Sequence, residues 1–368
     1  MIRPLWIDID LGTLRKNIKV VKKYLSPKVR AIATIKQSAY GHGLMPIARE
    51  LDKQGIDFFG VGSIEEAVLL RKDGFKGSVI ILTNVLGKFA GYFAEQNITA
   101  TIADLNFAKK LNKESAKQNK IVPAHIKIDT GMGRLGFYYE QARPLIKQLS
   151  KLKNISLEGI YTHFPVADSD PEFTNRQIEV FNSFISQLEK EKIFFKFRHC
   201  ANSIGIANYP NAHFNMVRPG LILYGIKPAA NVDLEVKPCL SLKSKIVFVK
   251  KIAKGMSVSY ARSYIADKAR FIGTVAVGYA DGYPWALSNK GKVIIKDDLF
   301  DVAGRVCMDH IMVDLKDESS IKVGQEVILI GKSKNSKITA EDLAQWAGTI
   351  PYEIVSRLSP KIPRAYKN

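Results

Sequence analysis

Lys36 is the residue whose position in this sequence indicates chemistry most directly. It follows the apolar run 29–35 and precedes the segment QSAYGHG at 37–43. A lysine that leaves a buried strand is desolvated, and burial favours its neutral, nucleophilic amine because it penalises the ammonium. Such amines form Schiff bases with carbonyl compounds, and Gly41 and Gly43 allow a sharp turn and a close backbone approach to a bound group. The alternative is a lysine that merely ends a strand.

Further polar residues follow other apolar runs. Arg134 lies in the glycine-containing segment 127–136, His163 ends one run, and the segments 199–203 and 218–220 end two more. Taken together they offer a carbonyl-reactive amine, two arginines for anionic groups, and hydroxyl and backbone donors. In α/β barrels the last two strands are followed by the usual phosphate site. A phosphorylated aldehyde, pyridoxal phosphate (PLP), accounts for this set of residues.

Eight apolar runs in the first two-thirds of the chain must position these side chains. They lie at 29–36, 57–61, 78–83, 98–103, 122–129, 157–163, 195–200 and 214–218. Several are almost wholly apolar, which is typical of parallel strands buried on both faces. Helical patterns such as 174–190 separate most of them. The count predicts a (β/α)8 TIM-type barrel with its reactive residues on the carboxyl-terminal rim; a doubly wound open sheet is the competing fold.

From about residue 233 the apolar period changes to two, which indicates strands joined by short turns. We expect strands at 241–250, 273–278, 292–296, 302–314 and 326–330, and one helix from Thr339 with Asp342 in a capping box. The predicted division is a PLP-binding barrel at 10–232 and a mainly β domain at 233–368, against which residues 1–9 pack. A chain of 368 residues is long enough for both.

Composition limits the classes of function. The apolar fraction of 46% and the charged fraction of 24% are those of a soluble globular protein, and no apolar run reaches membrane-spanning length. Acidic residues close to the start argue against a secretory signal. Three scattered cysteines favour a reducing compartment. We therefore expect a cytoplasmic protein without membrane association.

The net charge of +20 raises nucleic-acid binding as a second hypothesis. The lysines, however, are interleaved with leucines, as at 109–113 and 147–151, which is typical of solvated helix faces. No nucleic-acid motif accompanies them. The segment 331–333 resembles the end of a phosphate-binding loop, but Glu326 replaces its first glycine. No residues have metal-ligand spacing, so no metal is expected.

Nine blocks, in order, resemble bacterial alanine racemase. They are 36–43, 129–136, 162–164, 201–203, 218–225, 258–260, 278–282, 307–309 and 351–353, and the similarity runs from residue 3 to residue 364. The resemblance implies that Lys36 binds PLP as an internal aldimine, that Arg218 faces its pyridine nitrogen and that His163 lies beside its ring. Residues implied to bind the rest of the cofactor, chiefly its phosphate, are Tyr40, Asn202, Ser203, Gly220, Leu221 and Tyr352.

The resemblance also implies the roles of residues around the substrate. Lys36 and the partner subunit's Tyr260 exchange protons with opposite faces of the alanine Cα, through an external aldimine. A tyrosine needs neighbours that favour phenolate for this role, and His163 and the arginines are the candidates. Arg134 and Met308 hold the substrate. Supporting residues are Lys127, which is carbamylated in many relatives or else remains in a salt bridge, and His199, Tyr279, Cys307 and Asp309.

These roles imply a homodimer that converts L-alanine and D-alanine into one another and supplies D-alanine for peptidoglycan. Two departures from the family pattern, Gln37-Ser38 and His310, affect the pocket's detail but not the reaction. A racemase of serine or of a broader range of amino acids remains an alternative, because pockets discriminate small groups only modestly. A related PLP-barrel decarboxylase of diamino acids, or a non-catalytic PLP carrier, are the others.

Overall fold

The first two-thirds of the chain form a closed barrel of eight parallel strands. The computed structural model describes residues 3–368, so residues 1 and 2 of the predicted segment 1–9 lie outside the described residues. The predicted (β/α)8 barrel is confirmed. Its strands, numbered 1 to 8 in chain order, are Arg30–Ala31 with Ala33–Thr34, Phe58–Val61, Ser78–Ile81, Ala100–Ile102, Val122–Asp129, Ile155–Tyr161, Phe197–His199 and Met216–Val217.

Barrel strand 1 closes the barrel because it pairs with strand 8 on one side and strand 2 on the other. Arg30 lies opposite Met216 in strand 8, and the first residue of the second segment lies opposite Phe59 in strand 2. Between the two segments, the Ile32 N–H donates to the Val217 carbonyl. The first segment of strand 1 therefore pairs with strand 8 and the second with strand 2. The barrel is closed, and the carboxyl-terminal ends of its parallel strands lie on one rim.

Helices connect the barrel strands and cover the outside. Their starts are set by capping side chains: Ser63, Asp104 and Asp170 each accept a hydrogen bond from a backbone N–H three residues later. The α-helices are Leu11–Lys23, Leu44–Lys53, Ile64–Lys72, Gly91–Glu95, Leu105–Lys117, Tyr139–Leu149, Pro171–Lys190 and Ser203–Asn208. Short 3-10 helices are Gly87–Phe89, Pro210–Ala212 and Leu221–Tyr224.

The barrel interior changes from apolar to polar toward the site. One apolar cluster consists of Ile32, Phe58, Ile80, Phe197 and Met216. The His125 ring lies 5.8 Å from the Phe58 ring and 5.7 Å from the Phe197 ring, between centroids. Because side chains of a strand alternate, His125 and Lys127 project to the same side of strand 5. A polar layer therefore follows this apolar cluster.

The C-terminal part is a β domain whose sheet returns on itself. The strand Leu240–Ile252 pairs with Arg270–Val275 and also with Glu326–Lys332. The remaining strands of the domain are Ser257–Val258, Tyr264–Ile265, Lys292–Ile295, Asp298–Val302, Ile311–Asp314, Lys337–Ile338 and Arg364–Lys367. The chain's first strand, Leu5–Asp10, pairs with Leu240–Ile252 and with Arg364–Lys367, so it belongs to this sheet.

The helices of the β domain are Ala340–Ala347 and Pro351–Ser356, with 3-10 turns at Tyr260–Arg262, Tyr279–Asp281 and Trp285–Leu287. The expected capping box is present: Thr339 Oγ1 accepts from the Asp342 N–H, and Asp342 accepts from the Thr339 N–H. Within residues 3–368, no helix has the length and apolarity needed to cross a bilayer.

The expected single strand 302–314 is wrong. The structure has two antiparallel strands, Asp298–Val302 and Ile311–Asp314, joined by the loop 303–310. Gly304 in this loop has φ +83°, and a Cβ there would lie 2.7 Å from the Val258 carbonyl oxygen. Glycine at this position therefore permits the close approach of the loop to Val258.

Candidate active site

A cavity of about 530 Å³ lies at the carboxyl-terminal rim of the barrel. The helix Pro351–Ser356 of the β domain contributes to its wall. Most of the predicted site residues line it, namely Lys36, Tyr40, Lys127, Arg134, His163, Asn202, Ser203, Arg218, Gly220 and Tyr352. The cavity therefore gathers residues that lie more than 300 positions apart in sequence.

Lys36 lies two residues after the end of barrel strand 1 and is half-buried. Burial lowers the pKa of its ammonium below the ordinary value, and the nearby Arg134 guanidinium lowers it further, while Glu66 acts in the opposite direction. The neutral amine is thus easier to form than in water, as a Schiff-base lysine requires.

The segment after Lys36 is a left-handed turn. Gln37, Ser38, Ala39 and Tyr40 have φ between 52° and 54°. Residues other than glycine adopt this backbone region at a cost of roughly 1–2 kcal/mol per residue, so surrounding contacts must hold the turn in place. The sequence predicted a sharp turn at the glycines but not four consecutive left-handed residues. The turn brings the Tyr40 side chain to the cavity.

Hydroxyl groups converge on the backbone of Gly220. The Gly220 N–H donates to Ser203 Oγ over 3.0 Å. A Cβ at position 220 would lie 3.1 Å from Tyr40 Oη and 3.6 Å from Ser203 Oγ, so the missing side chain leaves a polar recess. Leu221 is buried behind this recess at the start of a 3-10 helix. Donors around a small recess suit an anionic group such as a phosphate.

Asn202 has a structural task in addition to its position in the cavity wall. Its side-chain oxygen accepts hydrogen bonds from the N–H groups of Ile204 and Gly205, at 3.1 and 2.9 Å. It is therefore the N-cap of the helix Ser203–Asn208. This cap orients Ser203 toward Gly220.

The Arg218 guanidinium is buried at the floor of the cavity. It donates to the carbonyl oxygens of Thr162, His199 and Cys200 at 2.8–3.1 Å, to His199 Nδ1 at 2.6 Å and to His163 Nδ1 at 3.3 Å. Its Nε–H donates to none of these groups. Within residues 3–368 no carboxylate forms a salt bridge with it. The site therefore holds a buried positive charge.

Arg218 also fixes the protonation of two buried histidines behind the cavity. Because the guanidinium only donates, His199 Nδ1 accepts and His199 Nε2 carries the hydrogen. His199 Nε2 lies 2.8 Å from His125 Nδ1, which must then accept. Burial lowers the pKa of His125 to about 3 and that of His199 well below its ordinary value. Both rings are neutral; His199 binds Arg218 directly, and His125 binds His199.

Lys127 is fully buried without an ionic partner. Its Nζ lies 4.6 Å from the centre of the Tyr161 ring. Burial lowers the pKa of its ammonium far below the ordinary value, and Arg218 and Arg134 lower it further. Asp129 instead accepts from the N–H groups of Gly131 and Gly133, and no salt bridge of Lys127 occurs within the described part of the chain. The structure gives no support to the salt-bridge alternative.

Tyr161 is a site residue that sequence reasoning missed. Its ring stacks on His199 at 4.6 Å and 7° and faces Arg218 at 5.2 Å. Its hydroxyl is 2.9 Å from Thr101 Oγ1. The signal was present, because Tyr161 lies two residues before His163 and therefore on the same side of an extended strand. Glu66, which accepts from the Ser38 and Gly62 N–H groups, left no comparable signal.

The remaining predicted residues lie on the surface of the β domain and do not line this cavity. Tyr260 is 69% exposed and Met308 is 54% exposed. They belong to neighbouring loops, since Ser259 Oγ donates to the Arg305 carbonyl at 2.6 Å. The same surface carries Tyr279, Cys307 and Asp309; the Tyr279 N–H donates to the Cys307 carbonyl. Within one chain, this group of residues is separate from the cavity.

The fold and the cavity define a class of protein: a (β/α)8 barrel with a desolvated lysine on its rim, an anion recess and an attached β domain. Residues 9–228 match the family model described as alanine racemase, N-terminal domain, and residues 239–366 match alanine racemase, C-terminal domain. The chain therefore belongs to the alanine racemase family.

Individual relatives agree with this assignment. The chain is 40% identical over 371 residues to an alanine racemase of Clostridium novyi, covering 99% of this chain and 96% of the relative. It is 38% identical over 369 residues to that of Halothermothrix orenii, covering 100% and 97%. Its structure matches the alanine racemase of Clostridium difficile with a TM-score of 0.92 at 36% identity, covering 99% of this chain and 96% of the other.

Proposed function

We propose that this protein is an alanine racemase that uses PLP and interconverts L-alanine and D-alanine. The observation that carries the proposal is the cavity itself. It combines a desolvated amine at Lys36, a buried cation at Arg218 and a polar recess at Gly220. A family assignment alone leaves the chemistry of the site open, whereas these three features match the aldehyde, ring and phosphate of one cofactor.

The residues present fit PLP. Lys36 Nζ would hold the aldehyde carbon, and Ser203, Tyr40 and the backbone at Gly220 would hold the phosphate. Tyr352 supports this end of the site, because its ring centre lies 6.2 Å from that of Tyr40. When bound, PLP supplies the electron delocalisation that acidifies the Cα–H of an attached amino acid.

Arg218 would face the ring nitrogen of the cofactor. Its Nε–H could donate to that nitrogen, because the bonds to the histidines and carbonyl oxygens use only the two terminal nitrogens. An arginine stays charged and cannot accept a proton. It therefore disfavours protonation of that nitrogen and limits charge delocalisation. The reaction is thereby directed to return a proton to Cα rather than to side reactions such as transamination.

Racemisation needs one proton acceptor and one donor on opposite faces of the substrate Cα. We propose that Lys36 Nζ serves one face and that Tyr260 Oη of the partner subunit serves the other. The exposure of Tyr260 and Met308 on the β domain supports a surface that covers the cavity of a second copy. The proposed enzyme is then a homodimer with two shared sites.

The substrate carboxylate would be held by Arg134 and by the backbone near the partner subunit's Met308. In this proposal Lys127 is carbamylated, and its carbamate orients Arg134. Its burial without an ionic partner favours the neutral amine, which is the form that adds carbon dioxide. The addition forms an N–C bond and releases one proton from the nitrogen, so the carbamate is an anion and would be stabilised by the two arginines that now lower the pKa of Lys127.

The methyl group of alanine would point toward Tyr352 and the partner subunit's Met308, which leaves little room for larger side chains. We also propose a cytoplasmic enzyme that supplies D-alanine for peptidoglycan. Serine racemisation and decarboxylation of a diamino acid remain competing activities for the test below.

The direct test is circular dichroism of L-alanine incubated with the pure protein, repeated with L-serine and with L-lysine while carbon dioxide is monitored. We expect loss of optical activity with L-alanine and a much slower loss with L-serine. Tyr260→Phe should lower turnover at least about 100-fold while the absorbance of the bound cofactor is retained; Tyr138→Phe, at another exposed tyrosine, should match wild type. Unchanged L-alanine, or carbon dioxide release from L-lysine, would refute the proposed reaction.

A further inference from the structure

Side chains hold the carbonyl oxygens of four consecutive residues, 39–42, in the turn that follows Lys36. His42 Nδ1 lies 3.0 Å from the Ala39 oxygen and 2.9 Å from the Tyr40 oxygen. Arg364 Nε donates to the Gly41 oxygen at 2.8 Å. Tyr366 Oη donates to the oxygen of His42 at 3.1 Å. Two of these donors come from the last strand of the chain.

The His42 ring itself is locked in place. It stacks on Tyr224 with ring centres 4.4 Å apart and is completely buried. Because its Nδ1 faces only carbonyl oxygens, that nitrogen carries the hydrogen and donates it. The His42 ring thus holds the oxygens of Ala39 and Tyr40 at the end of the left-handed turn. Arg364 and Tyr366 hold the next two oxygens, those of Gly41 and His42.

The last strand is well anchored for such a task. Arg364–Lys367 runs parallel to the first strand of the chain, with Ile7 opposite Arg364 and Ile9 opposite Tyr366. The contact with the turn is close: a Cβ at Gly43 would lie 1.9 Å from Tyr366 Oη. Arg364 is also oriented by donation to the Ile362 oxygen at 2.8 Å. The β domain therefore contacts the segment 41–43 that follows Lys36 and the left-handed turn.

We propose that Arg364 and Tyr366 are positioning residues for cofactor binding. They hold the left-handed turn so that Lys36 and Tyr40 face the cavity together. Neither side chain lines the cavity, so both act through the turn. The inference rests on the proposed PLP function, because it assigns Lys36 and Tyr40 to the two ends of that cofactor.

The test measures PLP binding to cofactor-free protein by absorbance titration. Tyr366→Phe removes only the hydroxyl that donates to the turn, and we expect the half-saturating PLP concentration to rise about 3- to 10-fold, as for loss of one hydrogen bond. Arg364→Lys keeps the charge but lacks the Nε–H, and we expect a rise of similar size. Arg364→Ala should weaken binding more than Arg364→Lys.

Two control variants separate positioning from general stability. Tyr24→Phe also removes a tyrosine hydroxyl that donates to a backbone oxygen, that of Asp233, and neither residue lines the cavity. Lys367→Ala removes a salt bridge between the same last strand and Asp8. Both controls should bind PLP as wild type does, and their cofactor-free forms should unfold at temperatures close to that of Tyr366→Phe.

Wild-type affinity in both Tyr366→Phe and Arg364→Lys would overturn the inference. Equal weakening in Lys367→Ala would overturn it too, since the effect would then come from strand stability alone. If Arg364→Ala does not fold, Tyr366→Phe still decides the question. Failure of the wild-type protein to bind PLP at all would instead refute the proposed function, and the two failures are thus distinguishable.

Discussion

Arg218→Lys should destabilise the barrel by a predictable amount. Arg218 serves four acceptor atoms at 2.6–3.1 Å: the oxygens of Thr162, His199 and Cys200, and His199 Nδ1. An ammonium has three N–H groups, so at least one buried acceptor loses its partner. One unsatisfied buried group costs about 1–3 kcal/mol. For a domain of this size, a loss of about 2 kcal/mol lowers Tm by about 4–8 °C.

The assay is thermal unfolding of the cofactor-free protein, followed by circular dichroism. Arg198→Lys is the matched control on the same barrel strand as His199. Arg198 is partly exposed and pairs with Glu189 at 3.0 Å, so its replacement should shift Tm by less than about 2 °C. A Tm for Arg218→Lys within that range would show that the four acceptors do not depend on the guanidinium, and the reasoning would be wrong.

Acid should weaken the fold through buried histidines. Burial lowers the pKa of His42 to about 4 and that of His125 to about 3, whereas the pKa of an unfolded histidine is about 6.5. The stability that these neutral rings contribute is therefore complete above pH 6.5 and is lost as the pH falls toward 4 and 3. Each histidine should lower the free energy of unfolding by roughly 3 kcal/mol between pH 7 and pH 4. The urea midpoint should depend less on pH in His125→Asn than in wild type, whereas the exposed His310→Asn should behave as wild type does. Equal pH dependence in wild type and both variants would contradict this. Ser203→Ala removes the hydroxyl of the anion recess and should raise the half-saturating PLP concentration about 10-fold. The control Ser186→Ala, on an exposed helix face, should leave that concentration unchanged. A wild-type value for Ser203→Ala would show that the recess does not hold the phosphate.

The barrel could be predicted from the sequence because its strands are buried on both faces. Continuous apolar runs such as 78–83 therefore marked strand positions directly. The sequence did not show the interruption of strand 1 at Ile32. There the Ile32 N–H donates to Val217 of strand 8, whereas the Ile35 N–H donates to Gly60 of strand 2. The apolar pattern of 302–314 continued through a loop, and nothing in the sequence indicated that Gly304 packs closely against Val258 there.

The candidate site was visible as residue types at strand ends, but its internal geometry was not. Gln37, Ser38 and Ala39 have no intrinsic preference for left-handed backbone. The two residues that follow the turn, Gly41 and His42, are bound by Arg364 and Tyr366, more than 300 residues later. Sequence order carries no information about such contacts, whereas the rim position of Lys36 follows from the barrel rule alone.

The central claim is that each site combines Lys36 of one subunit with Tyr260 of the other, and mixed dimers test it most directly. Lys36→Ala and Tyr260→Phe chains, each inactive alone, are co-expressed with different tags, and alanine racemisation is measured on the randomly assembled mixture. Half of the dimers are then mixed and each has one intact site, so activity should recover to about a quarter of wild type. No recovery in purified mixed dimers that bind PLP would contradict the account, because both groups would then have to come from the same chain.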